Sequence, residues 1–337
     1  MSVNDKKNRS HLPMATPART GLITYDAKDP DSKYPSIEQL RPPKGAPNVL
    51  IILIDDAGFG SSSAFGGPCQ TPNAEKLAVS GQKYNRFHTT ALCSPSRQAL
   101  LTGRNHHSAG MGGITEIATG APGYNSVLPN TISPLARTLK LNGYSTAQFG
   151  KMPRSASVGD ETSPVGPFDA WPTGGGGFEY FYGFIGGEAN QWYPTLYEGT
   201  TPVEPKRTPE EGYHFMEDMT DKAMAWASQQ KALAPDKPFF VYFAPGATHA
   251  PHHVPKEWAD KYKGKFDEGW DKLREETIAR QKALGVIPQD AQLTARHAQI
   301  PSWDEMPEAL KPVLRRQMEV YAGWSTPTTT SDGCLTA

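Results

Sequence analysis

Short apolar runs separated by polar, Gly-rich stretches dominate the first half of the chain. The first is Asn48 to Ile54, NVLIILI, whose β-branched residues without alternation predict a central strand buried on both faces of a parallel sheet. It stops at Asp55-Asp56 and the turn-rich AGFGSSS. TPNAEKLAVSGQKY predicts a helix with Thr71 or Asn73 at its cap and Gly81 at its end. QALLTGR predicts a helix opening just behind Cys93, and TISPLARTLKLNGYSTAQFGK predicts helix, Gly stop and strand. KPFFVYFAPGATHAPH predicts a second buried strand, Phe239 to Phe243, that runs into a polar loop. Residues 256–320 are charged and helical in pattern, and WDKLREETIARQKAL is the clearest amphipathic piece. Strand, helix, strand alternation of this kind predicts a doubly wound α/β fold with a mostly parallel sheet.

Composition changes this picture little. The 337 residues carry 34 Lys plus Arg against 35 Asp plus Glu, so charge gives no reason to expect nucleic acid or an anionic membrane as partner. With 32 Gly and 31 Pro, many irregular connections are expected. Mean hydropathy is -0.55, and no stretch approaches the ~20 apolar residues of a membrane span. No apolar segment follows the basic N-terminus, so a cytoplasmic location is expected. Cys69, Cys93 and Cys334 are too few and too scattered for a disulfide framework or a thiolate metal site. Residues 1–45, polar and Pro-rich, read as an extended arm over a domain spanning 46–322.

The most specific signal is Cys93-Ser94-Pro95-Ser96-Arg97, followed by Leu100-Leu101-Thr102-Gly103-Arg104. A cysteine near a helix start is as often a small buried hydrophobe as a reactive thiolate. C-x-P-S-R with L-x-T-G-R, however, resembles the signature of the type I sulfatases, arylsulfatases among them, and the resemblance runs from about Asn48 to Gly323. It implies an alkaline-phosphatase-like fold and hydrolysis of small-molecule sulfate esters. It also implies that a separate maturation enzyme converts Cys93 to formylglycine. The hydrate of that aldehyde offers two hydroxyls. One attacks sulfur and expels the alcohol; the other then collapses to the aldehyde and releases sulfate, which a serine could not do.

Asp55 and Asp56 after a buried strand are a candidate cation pair. A lone Asp there would be a turn or capping acid, but two adjacent carboxylates repel, and a divalent cation relieves that cost. The resemblance implies Ca2+ held by Asp55, Asp56 and the modified Cys93, with a later Asp-Asn pair. It further implies that Arg97, Lys151 and His249 orient the nucleophile and the sulfate. His252 and His253, by contrast, read as solvated or hydrogen-bonded residues. The stretch FDAWPTGGGGFEYFYGFIGGEANQWYPTLYEG reads as a packed loop core, with Trp192 as a candidate for stacking on an aryl leaving group.

Two departures from the family pattern stand out. Lys151 is followed by Met152-Pro153-Arg154 where relatives carry Gly-Lys-x-His, and the chain stops before the later metal ligands and a second lysine. Permitted codons read one base out of frame restore Lys-x-His after Lys151. Gly323 to Thr336, read from the third base of the Gly323 codon, gives an amphipathic segment resembling the helix that follows this point in the family. We therefore expect residues 152–160 and 324–337 to be out-of-frame translations, with 323–337 an aberrant tail and the C-terminal half of the fold missing. A phosphate or phosphonate ester hydrolase and an inactive, anion-binding fragment are the alternative readings.

Overall fold

The computed structural model describes residues 21–33, 39–152 and 171–326. Six strands form one sheet in the order β1-β6-β2-β3-β4-β5. β1 (Val49–Ile52), β6 (Phe239–Ala244), β2 (Ser145–Met152) and β3 (Tyr180–Ile185) run parallel. The short β4 (Leu196–Glu198) and β5 (Thr201–Val203) add on antiparallel. The expected mixed α/β architecture with a mostly parallel sheet is therefore present.

Period-two alternation sends each strand's side chains to opposite faces. In β6, Val241 and Phe243 join one core, where α4 (Phe215–Leu233) lays down Phe215, Met219, Ala223 and Trp226 at helical spacing. Phe240, Tyr242 and Ala244 join the other, under α2 (Cys93–Thr102) and α3 (Leu135–Lys140). Helices on both faces make the sheet doubly wound. α1 (Pro72–Ser80) follows the first loop, with Thr71 and Gly81 as its caps.

Beyond β6 lie α5 (Lys256–Asp260), α6 (Gly269–Ala283) and α7 (Lys311–Ser325), so the expected helical region contains a non-helical segment over 285–310. α7 carries Gly323 and the fully buried Trp324 into its last turn, past the expected boundary at 323. Met152, at the end of β2, is likewise buried. The remaining residues expected to be out of frame, 153–160 and 327–337, lie outside the described residues.

Two sequence expectations need correction. β1 is an edge strand among the described residues, not a central one: it pairs only with β6, and Leu50 is 37% exposed. An apolar run reports β propensity but does not record how many neighbours a strand has. The Gly- and aromatic-rich stretch is also more than loop core, since it contains β3 and β4. Gly183 in β3 pairs with Gly150 in β2, and a Cβ on Gly183 would lie 2.1 Å from the Gly150 carbonyl oxygen. The glycine that read as a loop signal is what permits close strand approach.

Candidate active site

Three neighbouring parallel strands end side by side, and their carboxyl ends carry the chemistry, as open α/β sheets are built to do. Asp55 follows β1, Lys151 is the penultimate residue of β2, and His249 follows β6. Gly150, at φ +92, turns the chain just before Lys151; a Cβ there would lie 2.2 Å from the Ala244 carbonyl oxygen. Asp56 adopts φ +51, a left-handed conformation that Asp tolerates better than most residues.

At the centre is a buried ionic cluster. Lys151 Nζ sits 2.5 Å from Asp55 Oδ2, and Arg97 Nη2 is 3.4 Å from the same oxygen. Lys151 is 0%, Arg97 1% and Asp55 5% exposed. Burial alone would raise the Asp55 pKa, but Arg97, Lys151 and His249 outweigh it and hold the carboxyl below its usual range. Arg97 likewise stays protonated: burial opposes its charge, while Tyr242, Asp55 and Cys93 favour it. Its Nη1 donates to the Tyr242 hydroxyl at 3.1 Å, whereas Nε and Nη2 are buried without a hydrogen-bond partner among the described residues. Nη2 is nevertheless ion-paired with Asp55, so Nε is the guanidinium donor left for an oxyanion. Cys93 is the first residue of α2, half-buried, one turn before Arg97. The N-terminus of that helix adds a favourable field for an anion.

The rest of the site is held from α7. The Tyr321 hydroxyl donates to the Asp56 carbonyl oxygen at 2.7 Å and receives a bond from Thr248 Oγ1 at 3.2 Å. The Thr248 amide also donates to the Asp55 carbonyl at 2.7 Å, so the β1 and β6 loops are stitched together. Trp324 Nε1 donates to the His249 carbonyl at 3.4 Å. His249 itself faces carboxylates, with Nε2 3.8 Å from Asp56 and Nδ1 3.9 Å from Glu188. His253 accepts a bond from the Gln191 amide, and His252 packs edge-on against Tyr321. Trp192 packs edge-on against His214 at 4.6 Å, and His214 against Trp324 at 5.5 Å.

The structure thus brings together Asp55, Arg97 and Lys151, with Cys93 and His249 beside them. It also corrects the repulsion argument for a metal. Asp55 is already neutralised by two cations, so the adjacent carboxylates do not by themselves demand a divalent ion. The described residues contain no group of three His, Cys, Asp or Glu side chains that could hold a metal. Ca2+ takes six to eight oxygens, and Asp55 and Asp56 furnish only part of such a set. The residues described therefore do not fit calcium on their own. Sequence reading missed Tyr242, Glu188, Thr248 and Tyr321. Of these, only Tyr242 left a trace, as a polar tip inside the apolar run FFVYFA.

This geometry coincides with a sequence relationship. A profile of the sulfatase family matches residues 47–326, which contain every residue of the cluster. The chain belongs to the sulfatase family. An uncharacterised sulfatase of Schizosaccharomyces pombe is 34% identical over 290 residues, covering 82% of this chain and 51% of the relative. The arylsulfatase of Klebsiella aerogenes is 30% identical over 279 residues, covering 82% and 58%. The chain thus spans about half the length of these curated relatives. YidJ from Bacteroides fragilis shares the fold with a TM-score of 0.58 at 18% identity, over 90% of this chain and 59% of that one. A structure solved with its substrate D-glucosamine-2-N,6-O-disulfate aligns with a TM-score of 0.53 at 16% identity, over 84% and 60%. Within the family region no described helix is long and apolar enough to cross a membrane.

Proposed function

We propose that this chain carries the sulfate-binding centre of a sulfuric ester hydrolase of the arylsulfatase type. The observation that carries the reading is the buried Arg97, ion-paired with Asp55 and with its Nε unpartnered among the described residues, one turn from Cys93 and beside the Asp55–Lys151 pair. Converted to formylglycine by a maturation enzyme, Cys93 supplies a hydrated aldehyde as nucleophile. Arg97 orients the sulfuryl oxygens through its Nε donor and its charge. Lys151 adds positive charge where negative charge develops, and Asp55 fixes the position of its ammonium. His249, held between Asp56 and Glu188, is placed to give a proton to the departing alcohol oxygen. Asp55 and Asp56 are the residues that would face a divalent metal.

The test is co-expression with a formylglycine-generating enzyme, followed by mass spectrometry of the Cys93 peptide and rate measurement on 4-nitrophenyl sulfate. Aldehyde in place of thiol, with hydrolysis lost in Cys93→Ala, is the expected outcome; turnover unaffected by Cys93→Ala sinks the reading. Matched aryl phosphonate and phosphate esters distinguish sulfuryl from phosphoryl specificity. A second reading is anion binding without turnover, for which the buried Arg97 one turn from the start of α2 suffices. It predicts sulfate binding dependent on Arg97 and no hydrolysis even when Cys93 is oxidised and Ca2+ supplied.

A further inference from the structure

The loop that leaves Asp56 forms one wall of a cavity of about 730 Å3 against α6 and α7, and none of Cys93, Arg97, Lys151 or His249 lines it. Phe59, Phe266, Trp270, Leu273, Ile278 and Met318 give it walls of mostly carbon. The volume falls within the range of small-molecule sites, which are apolar with a few placed polar groups. Much of the polar lining is already spent on the protein. Trp270 Nε1 donates to the Pro301 carbonyl at 3.1 Å, and the Tyr321 hydroxyl donates to the Asp56 carbonyl at 2.7 Å. Gln292 Nε2 donates to the Asp290 carbonyl at 3.0 Å, and the Thr277 hydroxyl accepts from Arg280 at 3.1 Å.

Arg274 differs from these. It is the one charged residue among the described residues of the lining, and both of its partners are neutral: Nη2 donates to the Thr294 carbonyl at 2.7 Å and hydroxyl at 3.2 Å. Asp271, one turn earlier on α6, is taken by Arg296 at 3.2 Å and by the Trp303 amide at 2.8 Å. Among the described residues, then, no carboxylate pairs with Arg274, and its Nε and Nη1 donate to none of them.

We propose that this cavity is a second ligand site, separate from the reacting centre, for a fatty carboxylate: an extended apolar chain with a single anionic head. The unbalanced guanidinium receives the head through charge-assisted hydrogen bonds, planar donor group against planar acceptor. The carbon walls from the loop, α6 and α7 take the chain, whose removal from water favours binding. A dianionic head would leave one charge unbalanced, and a cationic head would face Arg274 unpaired. The inference goes beyond the sulfate-ester reading and does not depend on it.

The experiment is isothermal titration of the full chain, with Cys93 as the thiol, using octanoate below its micelle-forming concentration. Saturable 1:1 binding is expected, about tenfold or more tighter than that of 1-octanol, which has the same chain and no charge. Arg274→Gln should weaken octanoate by about tenfold or more and leave 1-octanol unchanged, whereas Arg274→Lys keeps the charge and should retain most of the binding. Gln317→Trp, at an exposed position of the lining on α7, should weaken both ligands. Melting temperatures that match the parent separate these losses from misfolding. Excess inorganic sulfate at constant ionic strength should not displace octanoate. Equal affinity for octanoate and 1-octanol, octanoate affinity unchanged by Arg274→Gln or by Gln317→Trp, or non-saturable heats would overturn the proposal. Displacement by sulfate would place the carboxylate at Arg97 and overturn it as well, while leaving the sulfate-ester reading standing.

Discussion

Replacing Asp55 with Asn tests whether the buried cluster holds itself together. In the parent, one carboxylate oxygen lies 2.5 Å from Lys151 Nζ and 3.4 Å from Arg97 Nη2, with all three groups nearly inaccessible to water. At an effective dielectric constant of about 20, those separations correspond to gross attractions of roughly 7 and 5 kcal/mol. Most of that offsets the desolvation of three ions, so the net value of the cluster over an apolar replacement is small. Asp55→Asn removes the attraction and leaves both cations buried, for which about 3–5 kcal/mol of lost stability is expected. Lys151→Met removes an attraction but also a desolvated ion, and Asp55 keeps Arg97, so a smaller loss of about 1–3 kcal/mol is expected. The decisive variant is the double one. Removing Lys151 in the Asp55→Asn background deletes an unpaired charge, so the double variant should be more stable than Asp55→Asn alone. Urea unfolding at neutral pH with a chelator present measures all four proteins. In thermal melts, a ~4 kcal/mol loss in a chain of this size corresponds to roughly 5–6 °C. A double variant no more stable than Asp55→Asn would refute the account, because it would mean that Lys151 was not paying for its burial through Asp55.

Other predictions follow from single contacts. Trp324→Ala empties a fully buried position in α7 and removes the bond to the His249 carbonyl; a loss of about 3–5 kcal/mol in urea unfolding is expected. Gly150→Ala would place a methyl 2.2 Å from the Ala244 carbonyl oxygen at φ +92, so a sharp fall in soluble yield and melting temperature is expected. His214 is neutral in the fold: Nδ1 accepts from the Met216 amide, Nε2 donates to the His253 carbonyl, and burial lowers its pKa. Its contribution is complete above the unfolded value of about 6.5 and is lost as pH falls through the lower folded value. His214→Gln should therefore melt with a shallower pH slope below about 6.5 than the parent; identical slopes would exclude His214 as the titrating group.

Local order was largely legible from residue pattern. The boundaries of α1, the Gly stop of α2, the run Phe239–Phe243 and the placement of Asp55 after a strand follow from β-branched runs, capping residues and Gly stops, which act over a few residues, whereas α2 starts at Cys93 itself and not behind it. The sulfatase signature around Cys93 was legible too, because it is contiguous in sequence, running along α2 and just past its Gly103 cap. Nothing in the sequence says that Lys151 and Asp55, 96 residues apart, share a hydrogen bond. Nor does it say that Tyr321 reaches across 265 residues to the Asp56 carbonyl. Those contacts depend on which strand ends lie side by side, and strand order is a property of non-local pairing. The same holds for β1, whose apolar run reads as buried on two sides although β6 is its only partner among the described residues. The sequence offered Asp55, Arg97 and Lys151 as candidates, whereas their sharing one buried ionic cluster, with Tyr242 and Tyr321 around it, was decided only when the sheet brought distant segments together.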